Sequence, residues 1–288
     1  MKSIVIGMGI GGLYKAVLES EGNTVVTVDT DPNKGADFTS IQGAIERHKF
    51  FDTAHVCTPN FTHDAVASEI ASHARIVFVE KPGSKSKKDW RQLVEQFPNT
   101  RFMMVKNNQW RTNFAELKEK ADASHTIRLN WINKNRVPNP GSWFTTKSLS
   151  FGGVSRDLMP HLLSWVSGFE PDTYKSLKVD FKGSTQRWLL EDLVNSDYGT
   201  VNPNGTYDVD DRAELTLTSD TKKYKLIADW KSDTEDDISL NFDFDDGTSY
   251  RYELGLCPED AYLNMINMCF KNLNNEDFWD MQLVNDLW

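Results

Sequence analysis

"SIVIGMGIGG", residues 3–12, decides how this chain has to be read. A short β-branched run enters a turn with glycine at positions 7, 9 and 12, and a helix-like segment, "LYKAVLES", follows. In the register G-x-G-x-x-G the first glycine permits a tight turn and the second lets the backbone approach a pyrophosphate. The third lets helix and strand pack closely. Phosphates would then lie on the helix N-terminus, where unpaired N–H groups and the helix dipole favour anions. The glycines alone suit a ligand-free strand-to-helix turn equally well. Asp29 tips that balance: it closes the next strand, "TVVTVD", 22 residues after Gly7, where a carboxylate can accept hydrogen bonds from an adenosine ribose. The contacts expected around this turn are Gly7, Gly9, Ile10, Gly12 and Asp29.

Outward from the turn, the apolar runs "TAHVCTP", "RIVFVE" and "RFMMVK" alternate with the amphipathic stretches "HDAVASEIASH", "KKDWRQLVEQF" and "FAELKEK". Near-continuously apolar strands between helices predict a doubly wound parallel sheet, a Rossmann α/β domain over residues 1–120. From about residue 124 the rhythm becomes alternating: "AELTLTS", "YKLIADW", "ISLNFDF" and "SYRYELGL", joined by turn formers. That pattern predicts an α+β domain over residues 121–288 with an open, mainly antiparallel sheet. "PEDAYLNMINMCFKNL" reads as a C-terminal helix, proline just inside its start, that can pack back on the first domain. Residues 195–211, rich in turn formers, form the expected long loop.

The chain has 288 residues, 39% of them hydrophobic, enough for a sizeable core. A formal charge of −10 argues against generic nucleic-acid or anionic-membrane binding and leaves room for a local anion pocket. Cys57, Cys257 and Cys269 lack CxxC spacing, so neither a disulfide framework nor a metal centre is expected, and a reducing cytoplasm fits. The first apolar run is too short and glycine-broken for a signal peptide, and no segment approaches the roughly 20 apolar residues of a membrane span. A soluble, unexported protein is the expectation.

Three further motifs follow in order. "TPN..H" is met by Thr58, Pro59, Asn60 and His63; "EKP" by Glu80, Lys81 and Pro82; and "GGVSRDLMPH" carries Asp157 and His161. Taken alone, Lys81 reads as a surface charge beside the solvated run "SKSKKD", and His63 and His161 as ordinary helix or core histidines. In this order and spacing the motifs resemble the Gfo/Idh/MocA family of nicotinamide-dependent oxidoreductases, over almost the entire chain. The resemblance implies NAD as cofactor, with NADP disfavoured by Asp29 and Asp31 and softened by Lys34. It also implies an EKP turn at the carboxyl edge of the sheet and a lysine facing nicotinamide and substrate. Thr58, Pro59, Asn60, His63, Glu80 and Lys81 join the expected cofactor contacts on this ground.

Lys81, Asp157 and His161 are the catalytic residues the resemblance implies. Imidazole, whose pKa lies near neutrality, suits His161 as general acid–base, with Lys81 polarising the substrate oxygen; the reverse assignment, a desolvated Lys81 as base, stays open. Glu80 either holds the Lys81 ammonium or contacts the cofactor. Asp157 and His161 stand four apart and share a helix face, provided the regular helix begins near residue 159, because Pro160 would otherwise clash with the carbonyl of Arg156. Met159 occupies a position where relatives carry glycine. "VKNNQWRTNF", residues 105–114, replaces the usual arginine-centred stretch and makes Asn108, Gln109 and Arg111 the candidate substrate contacts. Trp131, Arg136, Trp143 and Lys147 either line the pocket or pack the domain edge.

The expected reaction is hydride transfer between nicotinamide and a carbinol or carbonyl carbon of a sugar, cyclitol or sugar derivative. The expected partner is a second copy of the chain, paired through the open sheet. The alternatives are a reductase of another unsaturated small molecule, such as a linear tetrapyrrole, and a non-catalytic dinucleotide-binding sensor.

Overall fold

The computed structural model describes residues 1–255 and 258–282; Cys257 lies outside them. The chain divides into two compact units. Among the described residues, one is Met1–Val105 joined by residues 262–282, and the other is Lys106–Ala261. The division falls earlier than the residue 120 suggested by the helix–strand rhythm, because the helix over 114–123 is grouped with the second unit.

In the first unit β1 (Lys2–Ile6), α1 (Gly11–Ser20), β2 (Thr24–Val28), α2 (Ile41–His48), β3 (Phe51–Val56), α3 (His63–Ala71), β4 (Ala74–Val79), α4 (Lys87–Gln96) and β5 (Arg101–Met104) alternate along the chain. The strands form one sheet in the order β2-β1-β3-β4-β5, every pair parallel. Both faces are covered, so the strands read as apolar runs: Ile4, Ile6, Val77 and Val79 share a core with Ala67, Ile70, Trp90 and Leu93 from the helices. The order reverses between β1 and β3, which makes their carboxyl ends the crevice where ligands of open α/β sheets bind.

Helix α2 escaped the sequence reading because "IQGAIERH" is short and carries Gly43. It forms because the Ser40 hydroxyl accepts the Gly43 N–H at 3.2 Å and because Ile41, Ala44 and Ile45 bury one stripe. At the other end of the chain, α9 (Glu259–Lys271) and α10 (Glu276–Gln282) complete the helical content of the described residues. Pro258 stands one position ahead of α9, rather than inside its first turn, and its carbonyl accepts the Ala261 N–H at 3.1 Å. From Tyr262 on, this segment packs within the first unit. The Tyr262 ring meets Tyr14 edge-on at 5.2 Å, and Arg101 pairs with Glu276 while lying 6.0 Å from the Trp279 ring.

The second unit holds α5 (Phe114–Ala123), β6 (Ser124–Ile132), α6 (Lys147–Ser150), α7 (Val154–Asp157), α8 (Met159–Phe169), β7 (Lys178–Thr185), β8 (Arg212–Thr218), β9 (Lys223–Asp229), β10 (Asp237–Phe244) and β11 (Ser249–Glu253). Its sheet has the order β11-β10-β6-β9-β8-β7, antiparallel throughout except for the central β6–β9 pair. One face is apolar. Leu129, Leu215, Leu226 and Phe242 are buried, and Phe169 of α8 reaches Phe242 at a ring separation of 6.2 Å. The other carries paired charges such as Arg128 with Asp243 and Arg251 with Asp237. Alternation of this kind made β8 to β10 legible. Strand β7 was not anticipated, since nearly all of its side chains are exposed and leave no periodic signal. No helix among the described residues is long and apolar enough to cross a membrane.

Candidate active site

In the first unit the turn after β1 explains its glycines one at a time. Gly7 has φ +91°, and its N–H donates to Val28 O at 2.8 Å. A Cβ there would lie 2.7 Å from the carbonyl oxygen of Cys57, so backbone conformation and space both require glycine. Gly9 is exposed, and a Cβ on it would meet nothing within 4 Å, which leaves its backbone approachable. The third position is a correction. Gly12 has open space around it, whereas a Cβ on its neighbour Gly11 would lie 2.8 Å from Val5 Cγ1 and 3.5 Å from Cys57 Cβ. Close helix–strand packing therefore falls to Gly11. The G-x-G-x-x-G spacing names the wrong glycine because consecutive glycines at 11 and 12 let the helix turn its bare face inward one residue early.

Helix α1 starts with no side-chain cap and no acidic residue in its first turn, so its positive end is not neutralised from within. Asp29 faces the glycine turn: Oδ2 accepts the Met8 N–H at 2.7 Å and Oδ1 the Asp31 N–H at 2.9 Å. Ile10, 46% exposed, sits at the helix start as an apolar surface beside them. An approachable glycine backbone, an uncapped helix N-terminus, a fixed carboxylate and an apolar flank fit a dinucleotide with its pyrophosphate on Gly9 and α1 and its ribose near Asp29.

Two loops at the same sheet edge follow β3 and β4. Thr62 Oγ1 is 2.7 Å from both Thr58 Oγ1 and Pro59 O, which ties down the "TPN" turn. His63 is buried at the head of α3, with Nδ1 3.0 Å from Gly83 O and Nε2 2.8 Å from Thr58 O. Burial pushes its pKa down to about 4, against the pull of the two carbonyls, so the ring is neutral near pH 7. A neutral ring has one N–H to donate; the other nitrogen makes a close approach to the second carbonyl. His63 thus straps the Thr58 loop to the EKP turn.

That turn begins where the Glu80 N–H donates to Val56 O at 3.0 Å, and it closes where the Gly83 N–H donates to Glu80 O at 2.9 Å. The Lys81–Pro82 peptide is cis, and Lys81 is half-buried. Glu80 receives the hydroxyl of Tyr14 on Oε1 at 2.6 Å and the Lys81 N–H on Oε2 at 3.2 Å.

In the second unit the Gly152-Gly153 turn leads into α7. A Cβ on Gly153 would lie 1.8 Å from Asp210 O, which accepts the Val154 N–H at 2.9 Å. The Asp210 carboxylate takes the N–H groups of Gly153 and Ser155 and the Ser155 hydroxyl, at 2.8–3.0 Å. The end of the 195–211 loop therefore clamps the segment carrying Asp157. Behind it, Arg187 bridges the fully buried Asp211 and Asp229, and the Asp211 carbonyl accepts the Trp230 N–H at 3.0 Å. Trp230, itself buried, donates its indole Nε1–H to Asp157 Oδ2 at 2.9 Å.

Asp157 ends α7 and His161 lies in the first turn of α8, which starts at Met159 with Pro160 where a missing N–H does no harm. His161 stacks on Trp131 of β6, ring centroids 5.1 Å apart. Asn108, Gln109 and Arg111 all support the same region. Asn108 Nδ2 donates to His161 O at 3.3 Å, Gln109 Nε2 to Ser167 Oγ at 2.7 Å, and Arg111 to Asn108 Oδ1 and Gly255 O. Trp143 stacks on Phe144 in a turn of 3-10 helix.

Tyr14, Trp230 and Asp210 were missed in the sequence. The two aromatics occupy positions that read as core on a helix and at a strand end, and nothing in composition distinguishes an aromatic that packs from one that also donates.

The profile of an oxidoreductase family with an NAD-binding Rossmann fold matches residues 2–106. The chain is 28% identical over 180 residues to a UDP-kanosamine synthase oxidoreductase subunit of Amycolatopsis mediterranei (strain S699). That alignment takes in 57% of this chain and spans about half, 50%, of the relative's length. Among solved structures, GenD2 from gentamicin A biosynthesis, in complex with NAD, superposes with a TM-score of 0.73 at 17% identity, over 99% of this chain and 91% of its own. A myo-inositol dehydrogenase of Corynebacterium glutamicum does so with a TM-score of 0.73 at 13% identity, over 99% and 93%. At these identities the structures speak for the fold.

Proposed function

From its membership of the Gfo/Idh/MocA family of oxidoreductases, which residues 2–106 carry as an NAD-binding Rossmann domain, we propose that this chain transfers hydride between nicotinamide and a carbinol or carbonyl carbon of a sugar, cyclitol or sugar derivative. The observation that carries the reading is the placing of Lys81. It follows β4 at the sheet edge where β1 ends in the glycine turn and β3 in the Thr58 loop, so a charged donor shares one edge with the dinucleotide site. The inositol dehydrogenase likeness and the sugar-nucleotide relative support the choice of substrate class.

NAD supplies the hydride acceptor, and NADH the donor. The residues of this chain handle the oxygen and its proton. Lys81 donates a charge-assisted hydrogen bond to the substrate oxygen and stabilises negative charge as it develops there. His161 takes the hydroxyl proton in oxidation and returns it in reduction, and stacking on Trp131 fixes its ring plane. Asp157, held by the Trp230 indole, orients His161 or a neighbouring substrate hydroxyl. NAD(H) is preferred over NADP(H), because the fixed Asp29 carboxylate and Asp31 beside it repel a 2′-phosphate, with about tenfold in affinity for each 1.4 kcal/mol.

The test is a panel of sugars, cyclitols and sugar derivatives, offered with NAD and with NADH, and turnover followed by NADH absorbance. Lys81→Met, which keeps the stem and loses the charge, should lower turnover by a hundredfold or more, on the order of 3 kcal/mol, with NADH binding little changed. Absence of turnover across the panel, or full turnover by Lys81→Met, defeats the reading.

A further inference from the structure

The reactive lysine is on a turn, and a turn can be held loosely. Here the residue before it is held by a side chain from another element. Tyr14, in the second turn of α1, is 1% exposed, yet its hydroxyl lies 2.6 Å from Glu80 Oε1. Its ring has little room to swing, with His55 of β3 at 5.1 Å on one contact and Tyr262 of α9 edge-on at 5.2 Å on another. The same Glu80 accepts the Lys81 backbone N–H at 3.2 Å, and its carbonyl accepts the Gly83 N–H at 2.9 Å. Glu80 is therefore one node through which the turn is fixed to the rest of the unit, alongside the His63 ring at Gly83 O. A distance of 2.6 Å is that of an O–H donor to a carboxylate, a bond roughly twice as strong as a neutral one.

We infer that Tyr14 is a positioning residue for the Glu80-Lys81-Pro82 turn: its hydroxyl pins the Glu80 carboxylate, and through Glu80 it sets the backbone from which Lys81 reaches the reacting oxygen. The role of Lys81 rests on the function proposed above; the pinning itself rests on geometry alone. Burial, and then the Glu80 charge, hold the Tyr14 phenol well above its usual range, so it remains a donor over the working pH range. Because Tyr14 is on the helix that the glycine turn starts, one residue joins the pyrophosphate-binding element to the lysine-bearing turn. A buried tyrosine serving only the core would have no such consequence, since phenylalanine keeps its ring contacts.

Tyr14→Phe removes only the hydroxyl. Amide hydrogen exchange should rise by about tenfold or more at Lys81 and Gly83 while β1 and β3 amides keep their protection, an outcome that needs no substrate. With a substrate from the panel, kcat should fall by about tenfold or more while the dissociation constant of NADH stays within about threefold. In a Glu80→Gln background, Tyr14→Phe should then cost much less kcat than it does alone.

Unchanged exchange at Lys81 and Gly83 overturns the inference, and so does a loss confined to NADH affinity or a double variant whose losses multiply. Should Tyr14→Phe fail to fold, Glu80→Gln with the tyrosine intact takes its place, and unchanged exchange at Lys81 and Gly83 there overturns the inference equally. If the wild-type chain turns over nothing, the oxidoreductase reading fails and the exchange experiment still decides whether Tyr14 pins the turn.

Discussion

Replacing Gly11 and Gly12 in turn by alanine separates the glycine the fold requires from the one the motif spacing names. At Gly11 a Cβ would lie 2.8 Å from Val5 Cγ1 and 3.5 Å from Cys57 Cβ, and both neighbours are buried at the ends of β1 and β3. Overpacking of that kind costs about 1–3 kcal/mol, set against roughly 1 kcal/mol that alanine gains over glycine inside a helix. The net expectation is a loss of up to about 2 kcal/mol. At Gly12 nothing lies within 4 Å of the added carbon, so the helix gain stands alone and the protein should be more stable by about 0.5–1 kcal/mol. The assay is urea unfolding, with attention to the transition that NADH shifts, since a ligand that binds only the folded first unit moves the midpoint of that unit. Gly11→Ala should lower that midpoint and Gly12→Ala raise it at unchanged slope. Equal losses, or a larger loss at Gly12, would refute the assignment and restore the third glycine of the fingerprint to the packing role.

Acid should weaken the first unit before its carboxylates titrate. Burial holds His63 at about 4 and His55 at about 3, below the 6.5 of a free imidazole, so both are neutral when folded and their stability is present above pH 6.5 and lost as the pH falls below it. Between pH 7 and pH 5 each costs about 2 kcal/mol by linkage, and urea midpoints that stay flat over that interval would mean both rings are solvated. His161→Asn should slow the chemical step by about a hundredfold and remove the pH–rate limb nearest neutrality. If that limb survives there and vanishes in Lys81→Met, the base is Lys81. Trp230→Phe should lower kcat/KM by about tenfold through loss of the donor to Asp157, and kinetics identical to wild type would show that Asp157 is positioned without it.

The architecture was legible because each element buries a periodic face. The five parallel strands are apolar runs covered on both sides, and β8 to β10 alternate because one face of their sheet packs α8 and the other carries charge. Where burial leaves no pattern the sequence is silent, as at the exposed β7 and the short α2. The candidate site was legible at the glycine turn, where chemistry needs a residue type at a fixed spacing: Gly7 has φ +91° and Asp29 takes the Met8 N–H, while the parts given to Lys81, Asp157 and His161 belong to the proposed function. The site's support was not. Asn108 and Arg111, expected to touch substrate, are buried and bond the backbone under His161 and at Gly255, because a polar side chain in a loop signals polarity and not the direction in which it will be satisfied.

The same support appears in each unit. A carboxylate next to or near a residue to which the proposed function gives a chemical part receives a hydrogen bond from a buried aromatic: Glu80 from the Tyr14 hydroxyl, Asp157 from the Trp230 indole. An aromatic suits that task for a physical reason. Its ring is held by packing over a large area, so the direction of its one polar group is set by the core and not by solvent, and little rotamer freedom remains to be lost. A lysine or arginine in either place would bind the carboxylate more strongly, but it would bring a charge into the interior. An indole or phenol supplies direction without altering the net charge on which the proposed proton transfer depends. Each positioning aromatic therefore looks like core in the sequence, and only removal of its single donor atom, with the ring left in place, tells the two roles apart.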